Sequence, residues 1–134
     1  MISTSIQRIP EEIKITAACA YDLREVSEIL KPYLIWDGAS EDFRFSTKRG
    51  DYKPIFDFNK NELVAYLFEN PETCEKILTD SYDKRYTPSS FIAEVPGGYS
   101  VGWFDHSRSQ VRTFTNLHEA AADYVLLSWD LGRL

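Results

Sequence analysis

In the C-terminal third of the chain the apolar positions change period once, from two to about 3.6, and the change separates a sheet from a helix. In FIAEV and GYSVGWF apolar residues alternate with small or polar ones, and Pro96, Gly97 and Gly98 form the turn between them. A polar loop, Asp105 to Ser109, leads into QVRTFT, a third run with strand character. The pattern predicts a three-stranded β-meander. On its middle strand Tyr99, Val101 and Trp103 share one face, with Ser100, Gly102 and Phe104 on the other. Gly102 leaves a gap on its face that a neighbouring ring can fill. Beyond the meander, Leu117, Ala120, Ala121, Tyr124 and Val125 recur at helical spacing and form a stripe expected to pack on the sheet. Asn116 is the expected N-cap, Glu119 completes a capping box, and Gly132 stands beyond the helix end. The run Ala120 to Ala122 lets that helix come close to the strands.

Upstream, helix-start signals recur. Pro10 followed by Glu11 and Glu12 suits a first turn, with carboxylates at the positive end of the dipole. Ile13, Ile15 and Ala17 alternate as a strand would, but the alanines favour helix, here expected to end before Asp37-Gly38. Within it Asp22 and Glu25 resemble a capping box ahead of Leu23, Val26, Ile29 and Leu30. Phe43 and Phe45, then Phe56 and Phe58, suggest the arms of a hairpin with a long charged loop and Pro54 at an edge. Asn59 and Glu62 cap a further helix, which Asn70-Pro71 ends; the next places Cys74, Ile77, Leu78 and Tyr82 on one face. The expected fold is a single α+β domain over residues 1–134. It has an antiparallel sheet, the meander plus the further hairpin, with amphipathic helices packed on one face.

Composition narrows the function class. At 43% hydrophobic residues in 134, the chain can close one core without metals or disulfides. Three Trp, eight Tyr and eight Phe exceed what a small core hides, so some rings are expected at an edge or in a groove. A formal charge of −6 disfavours a nucleic-acid partner, which calls for a basic stripe. No apolar stretch has the length of a leader or a membrane span, so cytoplasmic residence is expected. Cys19 and Cys74 form no CxxC pair and read as small buried residues, with a disulfide as the alternative.

Candidate catalytic groups each have a plainer reading. His106, beside Asp105, Ser107 and Ser109, lies in a short loop whose neighbours do not converge as a catalytic triad does. His118 has Ala122 one turn on, where a two-histidine metal site needs its second ligand. Glu72 with Glu75, and Asp80 with Asp83, share helical turns and read as a solvated acidic face. Gly97-Gly98 belongs to a turn, and Arg49-Gly50-Asp51 is ordinary turn chemistry. No cofactor or metal is implied.

Two features point instead to a partner. From Asp51 to Asp83 eight acidic residues stand against three lysines, a net charge of −5 that can steer a basic protein. Lys84, Arg85, Tyr86, Arg108 and Arg112 could lie at one end of the meander, with Trp103, Phe104 and Trp129 facing outward beside them, an aromatic–arginine patch of the kind that carries binding energy. The expected function is a non-catalytic protein-interaction module, of the immunity or inhibitor type that caps a basic partner, with self-association left open. The alternatives are a small enzyme drawing on His106, His118, Asp57 and Glu94, and an aromatic-lined small-molecule binder.

Overall fold

The computed structural model describes residues 9–20, 22–33, 55–82 and 89–131. Contacts cluster in two compact units, Met1–Phe58 and Asn59–Leu134. The fold is α+β: five helices and a three-stranded antiparallel sheet among the described residues.

In the first unit, helices α1 (Glu11–Ala20) and α2 (Leu23–Leu30) pack together, and Lys31–Tyr33 adds a 3-10 turn. The single long helix expected from the alanine-rich run is therefore broken. Asp22 adopts an extended conformation and its carboxylate accepts from the Arg24 N–H, so it starts a new helix rather than continuing the old one. The second arm of the expected hairpin is not a strand. Ile55 lies in a turn, the Asp57 N–H bonds back to the Ile55 carbonyl, and Phe56 and Phe58 are both buried with ring centroids 6.2 Å apart. The first arm, with Phe43 and Phe45, lies outside the described residues.

The second unit holds α3 (Lys60–Glu69), α4 (Pro71–Tyr82), β1 (Ser89–Val95), β2 (Gly98–Asp105), β3 (Ser107–Phe114) and α5 (Leu117–Trp129). Asn59 and Glu62 form the expected reciprocal capping box. At α5 the box does not form: Asn116 makes no side-chain cap, and its amide Nδ2 donates instead to Glu119 Oε1 at 2.6 Å. α5 ends at Trp129, before Gly132, and the residue that closes it is Asp130. Asp130 takes the left-handed conformation (φ 57), and the Asp130 and Leu131 N–H groups bond to the Leu127 and Leu126 carbonyls.

The sheet order is β1-β2-β3. The turn between β1 and β2 is Pro96-Gly97, with Gly97 at φ +87, the position where a side chain would be strained. One helix face of the sheet is covered by α4 and α5. Ser90 Oγ meets Ser128 Oγ of α5 at 2.7 Å, and Ser81 of α4 accepts the Ile92 N–H at 2.9 Å. Ala120, Ala121 and Ala122 are fully buried, whereas Leu117 is only half-buried. On the opposite face the Phe91 ring fills the gap over Gly102: a Cβ there would lie 3.0 Å from the ring.

The pairing of β2 with β3 shifts by one residue. Trp103 faces Ser109, but Val101 faces Arg112, and the extra residue is taken up at Gln110, whose φ is 55. This bulge decides which way β3 presents its side chains.

Candidate functional site

Strand alternation and the bulge together divide the residues expected to form one patch. Trp103 pairs with Ser90 and Val101 with Arg112, so Trp103 and Arg112 lie on the face that carries Ser90, toward α5. Phe104 pairs with Arg108 on the opposite face, where the Arg108 guanidinium stands 4.9 Å from the Phe91 ring centroid. Trp129 is not an outward ring at all: it is 2% exposed within α5. Lys84, Arg85 and Tyr86 lie outside the described residues, as does Asp83. The aromatic–arginine patch is thus reduced to Phe91, Phe104 and Arg108 on one sheet face.

The dispersed acid–base set is also divided. His106 sits at the apex of the β2–β3 turn with φ 68, its side chain 91% exposed and its Nε2 3.8 Å from Asp105 Oδ1. His118 lies in the first turn of α5, beyond the other end of β3. Eight strand residues intervene, a separation on the order of 20 Å. Asp57 is held by Lys14 of the first unit, a buried ammonium 2.9 Å from its Oδ1 and 3.9 Å from Glu11 Oε2. A cleft of about 280 Å³ opens between the β1–β2 turn and the end of β3; Tyr99, Thr113, Phe114 and Thr115 line it, with no histidine or carboxylate in its wall. Among the described residues no group of three His, Cys, Asp or Glu side chains could hold a metal ion. Cys19 and Cys74 form no disulfide, and both are buried. None of the described helices is long and apolar enough to cross a membrane.

The acidic surface has more structure than the sequence indicates. Leu63 and Leu67, one turn apart, form the buried stripe of α3. Phe68 falls one position round from that stripe and is 67% exposed, the largest exposure of any big apolar side chain described. The His118 ring meets it edge-on, with centroids 5.1 Å apart and planes at 74°. Glu69, Glu72 and Glu75, close in the chain, are all exposed; Asp80 is exposed too, but Lys76 partly neutralises it at 3.0 Å. Phe68 was absent from the expected site residues. Its signal in the sequence is its place off the 63–67 stripe.

The chain matches no protein-family model, no curated protein and no solved structure.

Proposed function

We propose that the chain is a non-catalytic protein-interaction module whose α3–α4 surface, centred on Phe68, caps a basic partner in the manner of immunity and inhibitor proteins. The observation that carries this reading is the exposure of Phe68, with Glu69, Glu72 and Glu75, which follow it within seven positions of the chain, exposed as well. A large ring in water gains by burial, and aromatic anchors dominate interface energies. Exposed carboxylates on the same pair of helices raise the encounter rate with a basic surface and select against acidic ones. The comparison with immunity proteins rests on size and charge alone.

The test is to recover the partner with the intact protein from its native host and to measure association rate against ionic strength. Wild type is compared with Phe68→Ala and with the triple change of Glu69, Glu72 and Glu75 to lysine. The expected result is association that slows with salt, as a Debye length of about 8 Å at physiological ionic strength requires, and that is slowest in the triple variant. Phe68→Ala should chiefly speed dissociation. Rates independent of salt and unchanged in all three proteins would overturn the reading.

A further inference from the structure

We infer that the outer edge of β3 docks an extended acidic segment of a partner protein, added as a fourth strand of the sheet. This rests on the interaction-module reading but uses a different surface. The two sheet edges are unlike. On β1, Ser90, Phe91 and Ile92 are buried, and the Ile92 N–H is already taken by Ser81 Oγ. On β3, the seven residues Ser107 to Thr113 are all exposed, on both faces.

The phase of the sheet shows which backbone groups of β3 face outward. Because the Ile92 N–H points away from β2, the Ile92–Val101 pair is non-hydrogen-bonded on that side, and Val101 directs its own groups toward Arg112. Val111 and Thr113, flanking Arg112, therefore turn their N–H and C=O groups away from β2. By the same alternation Arg108 does so on the far side of the bulge. These are the groups an added strand would pair with. Their side chains share one face, on which Val111 is 46% exposed and Phe104 37% exposed.

Charge selects the occupant. From His106 to His118 there is no acidic residue, and β3 carries Arg108 and Arg112 in a chain of net charge −6. A second copy of β3 would bring two acid-free, arginine-bearing edges together with no carboxylate to receive Arg108, and like charge disfavours that pairing. The bulge and the arginines are devices that suppress indiscriminate edge pairing. An extended segment with an acidic side chain for Arg108 and an aliphatic one for Val111 satisfies both positions. Arg108 is already laid over Phe91 at 4.9 Å, which reduces the ordering needed on binding.

The probe is a blocked extended peptide matched to the eight residues of β3, with Glu and Val at successive positions of one face and Thr on the other, and with a peptide carrying Lys in place of each Glu as control. The expected result is slowed amide exchange at Val111 and Thr113 with the Glu–Val peptide only. Arg108→Glu should weaken binding by about tenfold, reversing an exposed ion pair. Val111→Lys is a second variant at an exposed position, expected to weaken binding with its melting temperature unchanged. Unchanged exchange at Val111 and Thr113, or equal binding of both peptides, overturns the proposal. Slowed exchange that appears with protein concentration and no peptide overturns it in favour of a second copy. Loss of strand addition with salt-dependent capture intact would leave the Phe68 surface standing; loss of capture alone would remove that reading and leave this one.

Discussion

Arg112 of β3 places its Nη1 3.7 Å from Oδ1 of Asp123, a residue of α5 with no exposed surface. A carboxylate in the stripe AADYV is costly unless a cation meets it. The bulge at Gln110 provides that cation. Were the Trp103–Ser109 register continued, Val111 would stand opposite Val101 and Arg112 would point away from α5. The one-residue shift exchanges them, bringing the guanidinium to Asp123 and leaving Val111 in solvent. One backbone feature thus explains both a satisfied buried charge and an exposed apolar side chain.

Arg112→Ala should therefore destabilise the second unit by on the order of 2 kcal/mol, because Asp123 would keep its burial and lose this counter-ion. The value sits toward the low side for a broken buried pair, since the Arg112 side chain is 42% exposed and partly screened. Replacing both residues, Arg112→Leu with Asp123→Leu, should cost less than the sum of the single changes. A double-mutant cycle by urea denaturation checks this; additive effects would show that the two do not interact.

Histidine should be dispensable for folding. His106 is a solvated turn residue, and His118 contributes one edge contact to an exposed ring. The double change His106→Ala and His118→Ala is expected to alter stability by less than about 1 kcal/mol. A measurable turnover in the wild type that vanished in this variant would replace the binding reading with an enzymatic one.

Cys74 makes stability depend on alkaline pH. Burial first, then the charge of Glu75, raises its pKa from an ordinary 9.0 to about 11, and its thiol donates to the Leu67 carbonyl at 3.3 Å. The folded state holds this proton more tightly than the unfolded chain does. Its contribution is fully present below pH 9 and is lost as pH rises toward 11, by on the order of 2 kcal/mol. Denaturation midpoints at pH 8 and pH 10.5 should differ less in Cys74→Ala than in wild type. Equal pH dependence in the two proteins would mean that Cys74 ionises as freely folded as unfolded.

The elements of the second unit were legible because their signals are local. The meander, its Pro96-Gly97 turn, the Asn59–Glu62 box and the alanine run of α5 each follow from side chains within a few residues of one another. Legibility failed where neighbours in the chain compete. Asp22 was seen as a capping residue, yet the alanines before it suggested one continuous helix; extended backbone at Asp22 prevailed. Asn116 had the right type and spacing for a cap, but its side chain is engaged as a donor to Glu119 Oε1 and accepts no backbone N–H.

By itself, the sequence determined that this is an α+β chain with an antiparallel meander and a close-packed alanine-rich helix, since hydrophobic period and turn chemistry are properties of short segments. Only the tertiary structure decided which side chains share a surface. A single left-handed residue, Gln110, reverses the faces of Val111 and Arg112, and no composition rule announces a positive φ at glutamine. Trp129 is withdrawn into the core while Phe68 is left in solvent, because burial is set by what a helix packs against rather than by how apolar the residue is. His106 and His118, twelve positions apart in the chain, are held at opposite ends of β3. The distance between chemical groups is fixed by strand geometry, which exists only once the chain has folded.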